Sequence, residues 1–108
     1  MRTLKFIVNG QLIEKDPKCN FEGLVPGSTG YLQAEFSFSN EWKGFAKAAS
    51  FRSVLGNEYP PQMLKDGKTC IIPEEALKKR WFFIKIHGLK NDEMLVTNKV
   101  SVVLSGRR

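Results

Sequence analysis

Apolar and polar residues alternate with a period of two through much of this chain. In residues 3–9, Leu4, Phe6 and Val8 share one face, and Thr3, Lys5 and Asn9 share the other, with Ile7 out of phase. That is the pattern of a half-buried strand. Asn9-Gly10 is a strong hairpin signal because both residues tolerate positive φ. Residues 11–15 return as a second strand, which Asp16-Pro17 ends. Gly23, Pro26, Gly27 and Gly30 make 21–30 a loop or a pair of turns. The cleanest alternation follows, with Leu32, Ala34, Phe36 and Phe38 on one face and Tyr31, Gln33, Glu35 and Ser37 on the other.

Residues 39–44 read as a turn anchored by Trp42, and 45–52 as the next strand, with Phe45, Ala49 and Phe51 in phase and Lys47 interrupting. Gly56-Asn57 turns the chain, Pro60-Pro61 excludes a central strand position, and Asp66-Gly67 is a second hairpin signal before a short strand at 69–72. Residues 73–80 form the one predicted helical segment. Pro73 suits a first helical position, Glu74 and Glu75 suit the first turn, Lys78, Lys79 and Arg80 suit the last, and Leu77 leans on the sheet. Phe82, Ile84 and Ile86 then face the core from a strand at 81–87, while Trp81, Phe83, Lys85 and His87 face away. Asn91-Asp92 turns into a last strand over 94–104, with Val100, Val102 and Leu104 inward. Residues 104–108 end the chain as a frayed basic tail. The sum is seven or eight short strands with turns between them, which predicts an all-β antiparallel sandwich or barrel with one short helical turn near 73–80. The expected core contains Trp42, Phe36, Phe38, Phe51, Cys70, Leu77, Ile84 and Ile86.

Length and composition narrow this further. The 108 residues suit a single domain spanning 1–108, and 42% hydrophobic content argues for a folded chain. No apolar run reaches the ~20 residues of a membrane span. The charged, alternating N-terminus reads as a first strand rather than a signal peptide. Cys19 and Cys70 are too far apart in sequence for a metal box or redox motif, and reduced thiols are expected. The net charge of +6 is spread along the chain, with clusters only at Lys78-Lys79-Arg80 and Arg107-Arg108. That distribution, without a basic helix or a ribonucleoprotein signature, argues against nucleic acid as a partner.

Candidate chemistry is sparse. The single histidine, His87, has no ligand partners nearby in sequence, so no metal site is expected. Cys70 and His87 form a catalytic pair only if their strands are neighbours, and a cysteine in an apolar strand is more often a core residue. Gly27 and Gly30 lack the Lys-Ser/Thr and helix of a phosphate loop. These features predict a protein that is not an enzyme and that carries no cofactor. The aromatics are the stronger signal. Trp81, Phe83 and Tyr31, with Lys85, are the candidate partner-binding residues. They serve first as a covered second layer, next as a subunit contact, and last as a platform for a glycan or other ligand.

The order Trp42, Gly44, Lys47, Ala49, Phe51, Tyr59, Leu64, Asp66, Gly67, Cys70, Ile72, Pro73, Glu74, Leu77, Ile84, Ile86, Gly88 and Thr97 resembles the immunoglobulin-like domains of tailed-phage structural proteins. Those are the N-terminal domains of baseplate upper proteins and head-fibre proteins. The resemblance covers about residues 31–104, and Trp81-Phe82-Phe83 and the basic balance depart from it. It implies an immunoglobulin-like sandwich and a virion structural protein (capsid decoration, head-fibre, tail or baseplate) assembled in the host cytoplasm. Such a protein contacts other virion proteins and forms a homo-oligomer. The alternatives are a module for a host surface glycan and an inhibitor of a host defence protein.

Overall fold

The alternating segments do become strands. A computed structural model of the chain describes residues 1–54 and 59–104. Among them it has β1 (Arg2–Asn9), β2 (Leu12–Lys15), β3 (Leu32–Phe38), β4 (Ala46–Ser53), β5 (Gln62–Met63), β6 (Thr69–Ile71), β7 (Trp81–Lys90), β8 (Glu93–Val96) and β9 (Val100–Val103). They form two sheets. The first runs β2-β1-β3-β6. The second runs β5-β4-β7, with β8 and β9 both paired along the far edge of β7. The inward faces of the two sheets enclose one cluster of buried side chains.

Several expectations need correction. The first sheet is mixed, because β1 and β3 run parallel, in register from Arg2↔Leu32 to Val8↔Phe38. β2 already occupies one edge of β1, and a long crossover delivers β3 to the other edge in the same direction, as a parallel pair requires. That crossover, residues 16–31, is more than a loop. Phe21 packs edge-on to Phe6 with ring centroids 5.4 Å apart, and Leu24 is buried. The Arg2 guanidinium donates to the carbonyls of Asn20 and Glu22 at 2.9 and 2.7 Å, tying the crossover to the start of β1.

The strand count is nine among the described residues, partly because the predicted strand over 94–104 breaks at 97–99. Leu104 is packed into the core, and its N–H donates to the Arg80 carbonyl, so no frayed tail begins there. The predicted turn at Gly56-Asn57 and the tail at 105–108 lie outside the described residues. The helical content is two short 3₁₀ turns, Asn40–Trp42 and Glu74–Leu77. The second lies within the helical turn expected near 73–80 and covers only Glu74–Leu77. Pro73 caps it at φ −64°, ψ 145° rather than entering it. Its consecutive buried residues, Ala76 and Leu77, wedge against β4 and β7. In the first hairpin, Asn9 is the last strand residue, paired with Leu12, and Gly10 alone has positive φ. That is the form of a two-residue II′ loop.

Trp42, Phe36, Phe51, Leu77, Ile84 and Ile86 are fully enclosed and Cys70 is buried, while Phe38 is only partly so. Trp42 does the most to join the sheets. Its indole N–H donates to the Gly10 carbonyl in the β1–β2 hairpin at 2.8 Å. Its ring lies against Phe38 and Phe45, at centroid distances of 5.3 and 6.0 Å. On the other sheet it meets Gly88, where an added Cβ would stand 2.7 Å from the ring. The indole therefore uses space that only a residue without a side chain leaves open.

The interruption between β8 and β9 also has a structural role. Ile86 lies opposite the gap, and its N–H donates to the Thr97 hydroxyl at 3.0 Å, while Thr97 N–H donates to the Ile86 carbonyl at 3.0 Å. A side-chain oxygen thus replaces the missing ladder acceptor. The next residue, Asn98, accepts from Ile13 N–H at 2.8 Å and donates its own N–H to Gln11 at 2.9 Å, which locks this edge of the second sheet to the first.

Gly88→Ala is expected to destabilise the fold by about 1–3 kcal/mol through overpacking against Trp42, measured by urea denaturation. Thr97→Val keeps the shape but strands the buried Ile86 N–H, and is expected to cost about 1–3 kcal/mol. A melting temperature unchanged from the parent would refute that role for the hydroxyl.

Candidate interaction surface

Opposed residues of antiparallel strands project to the same side, so the register of the second sheet defines its outer face. Ala46 pairs with Leu89, Ala48 with His87, Ser50 with Lys85 and Arg52 with Phe83. Met63 lies opposite Ala48 on β5, Met94 opposite Leu89, Val96 opposite His87, and Val103 opposite Trp81. Three of the predicted residues, Trp81, Phe83 and Lys85, therefore share this face. Tyr31 does not join them. It precedes β3 of the first sheet and borders a small cleft with Arg2, Gly23, Leu24 and Val25.

The face divides into two chemically different halves. One end carries Met63, Leu89 and Met94, exposed by 67, 56 and 71%, around Ala46, Ala48 and Val96. None of these is charged. The other end carries Trp81, 37% exposed, and the half-buried Phe83, with Arg52 beside Phe83 and the Lys99 ammonium 4.8 Å above its ring. The outer face of the first sheet is mixed. Lys5 pairs with Glu35, Glu35 with Thr69, and Thr3 with Gln33, while Leu12 and Ile71 are exposed apolar residues on the same face.

A polar pair separates the two halves. Ser50 Oγ lies 2.9 Å from His87 Nε2, with the donor set by the imidazole tautomer. A serine at this distance from a histidine meets the first requirement of an activated nucleophile. Ser50 is only 3% exposed, however, and lies on a strand in mid-sheet, so its hydroxyl is not presented to a substrate. The pair satisfies polar groups between two apolar surroundings. This pair was not legible in the sequence, because its two members are brought together only by the β4–β7 register.

The Cys70–His87 pairing does not form. Cys70 faces the core from β6 of the first sheet, opposite Ala34, whereas His87 faces outward from β7 of the second. Burial pushes the Cys70 thiol up to about 12, so it stays protonated at neutral pH and is a poor nucleophile. No disulfide forms, and the Cys19 sulfur accepts from Lys5 N–H at 3.3 Å. Among the described residues no group of His, Cys, Asp and Glu side chains could hold a metal ion. A cleft of about 530 Å³ lies beside the end of β3, lined by Glu35, Phe38, Lys43, Lys47, Asp66 and Lys68 among others. Its charges are of both signs. The Lys47 ammonium is already held, donating to the Phe45 carbonyl at 3.1 Å and lying 5.2 Å from the Phe38 ring centroid.

Comparison with known proteins finds no matching family model, no matching curated protein and no matching solved structure. The chemistry of the surface therefore carries the functional reading.

The thiols offer a direct check on this geometry. At pH 8 a thiol reagent is expected to modify Cys19 in the folded protein and Cys70 only after denaturant is added. Because folding favours the protonated Cys70 thiol, its contribution to stability is complete below the ordinary value of about 9 and is lost as pH rises toward about 12. Two equally fast thiols in the native protein would contradict the inward placement of Cys70.

Proposed function

We propose that this protein is a non-catalytic structural and binding domain that acts through protein–protein contact, and that it self-associates through the uncharged half of the second sheet's outer face. The single observation that carries this reading is the exposed cluster of Met63, Leu89 and Met94 around Ala46, Ala48 and Val96. A solvated sheet face is normally largely polar, and a contiguous uncharged apolar patch on one marks a contact surface. A second copy is the occupant that fits best. In a two-fold dimer each patch meets itself, so the patch must be self-complementary, and an uncharged apolar surface meets that condition without repulsion. The two alanines in its middle leave room for methionines from a facing sheet, and methionine adapts readily to such gaps.

We read the fold as the immunoglobulin-like sandwich of tailed-phage structural proteins, with the protein as a virion component. Support comes from two packed sheets and from the ordered residues between Trp42 and Thr97. The parallel β1–β3 pairing counts against a simple immunoglobulin topology. Copies of such a domain on a particle would dock on one another and on neighbouring virion proteins.

Light scattering after size exclusion is expected to show a dimer or higher oligomer. Leu89→Lys with Met94→Lys should give a folded monomer, because both side chains are exposed in the single chain. The parent protein should also be found in purified phage particles by mass spectrometry. A monomeric parent protein overturns the self-association, and absence from particles overturns the virion role.

A further inference from the structure

The other half of the same face calls for a different ligand. Trp81 and Phe83 occupy alternate positions on β7 and project to the same side, roughly 7 Å apart along the strand. Cations surround them. Arg52 is the cross-strand neighbour of Phe83, Lys85 is the next outward residue on β7, and the Lys99 ammonium lies 4.8 Å from the Phe83 ring centroid. At the end of β7 where Trp81 begins, Lys78, Lys79 and Arg80 are all exposed and line a cavity of about 330 Å³ with Pro26 and Gly27. The carboxylates just before them, Glu74 and Glu75, are not part of that lining. They act on the Tyr59 phenol, which Glu75 holds above its ordinary range. Among the described residues, the paired positions of this outer face carry no carboxylate.

The geometry points to this half of the face, with the Lys78–Arg80 cavity, as a binding track for single-stranded nucleic acid. Two features together select that class. A surface whose charges, among the described residues, are all cationic attracts phosphates and repels a second copy of itself, so this half is unsuited to the self-association of the apolar half. Flat aromatic rings at alternate positions on an open sheet, flanked by cations, supply what unpaired bases need: a ring to stack on and a charge for the adjoining phosphate. A duplex keeps its bases stacked inside and offers the rings nothing. The positive charge that is scattered along the sequence is gathered by the fold, because Arg52, Lys85, Lys99 and Lys78–Arg80 come from separate segments. The inference stands apart from the self-association, since it uses the other end of the sheet.

The test is fluorescence anisotropy of labelled oligothymidylate with the full chain, read together with tryptophan quenching. Duplex DNA, heparin and polyglutamate serve as competitors. Saturable binding is expected, with quenching and with single strands preferred over duplex. Affinity should fall as salt rises, with the logarithmic slope reduced by about 0.7 for each phosphate contact removed. Lys79→Glu and Arg80→Glu should lower both affinity and slope. Trp81→Ala and Phe83→Ala should lower affinity about tenfold or more while leaving the slope in place. Leu89→Lys with Met94→Lys should not weaken binding, which separates this site from the dimer contact. No saturable binding at low salt overturns the proposal. So does equal competition by heparin and duplex with no effect of either aromatic variant, which would mean general polyanion attraction. Preferential displacement by polyglutamate also overturns it, in favour of an acidic protein surface. The charge variants lie on exposed side chains, so the test holds even if Trp81→Ala folds poorly.

Discussion

The contact between the Trp42 indole and the bare backbone of Gly88 is the constraint on which the rest of the structure depends. Trp42 leaves the first sheet in a 3₁₀ turn after β3, donates to Gly10 in that sheet's hairpin, and presses its ring onto β7 of the second. One side chain thus fixes the spacing and the relative slide of the two layers at this end. Phe38 and Phe45 pack on the same ring. With β7 located by Gly88, its inward residues Phe82, Ile84 and Ile86 are committed to the core. Its outward residues Trp81, Phe83, Lys85 and His87 are then committed to the surface, because a strand's faces alternate without exception unless it bulges. The composition of the outer face is in this sense a consequence of the core.

The second tie between the layers works by polar chemistry. Thr97 and Asn98 interrupt the strand along the edge of β7, and their groups substitute for ladder bonds on one side and reach the β1–β2 hairpin on the other. An uninterrupted strand over 94–104 would satisfy its backbone within the second sheet alone and deprive Ile13 N–H and the Gln11 carbonyl of their Asn98 partners. The break exchanges strand regularity for a closed corner, and every buried side-chain polar atom among the described residues has a partner.

Local alternation was legible in the sequence because it depends only on neighbours along the chain. Leu4, Phe6 and Val8, or Phe82, Ile84 and Ile86, announce their face by period alone. The parallel β1–β3 pairing was not legible, because the same inward pattern serves a strand running in either direction. Trp42 was readable as a structural anchor from its turn context, but its partner Gly88 was not, since a glycine carries no pattern of its own. The surface was half legible. Trp81 and Phe83 stood out as aromatics on the polar phase of a strand. Met63, Leu89 and Met94 lie on three separate strands, and only the registers of β5, β4, β7 and β8 bring them together. A usable signal was present: Trp81, Phe83, Leu89, Met94 and Val96 are five apolar residues at outward positions of one hairpin, which is more than a solvated face normally carries. The crossover was underread for a related reason, because its glycines and prolines drew attention away from Phe21 and Leu24.

The division of the outer face into an uncharged end and a cationic aromatic end follows from how β7 is charged along its length. Its outward residues run from Trp81 and Phe83 through Lys85 and His87 to Leu89, so polarity changes along a single strand rather than between strands. β4 follows the same gradient in reverse, from Ala46 and Ala48 through Ser50 to Arg52, and the antiparallel register aligns the two gradients. A register slip of two residues in one direction would keep every core residue inward but would set Ala48 opposite Lys85 and Arg52 opposite Trp81, offsetting the two gradients. That slip would also part Ser50 from His87, whose contact spans β4 and β7. The Ser50–His87 contact therefore helps to hold the register that keeps the two ends of the sheet chemically distinct.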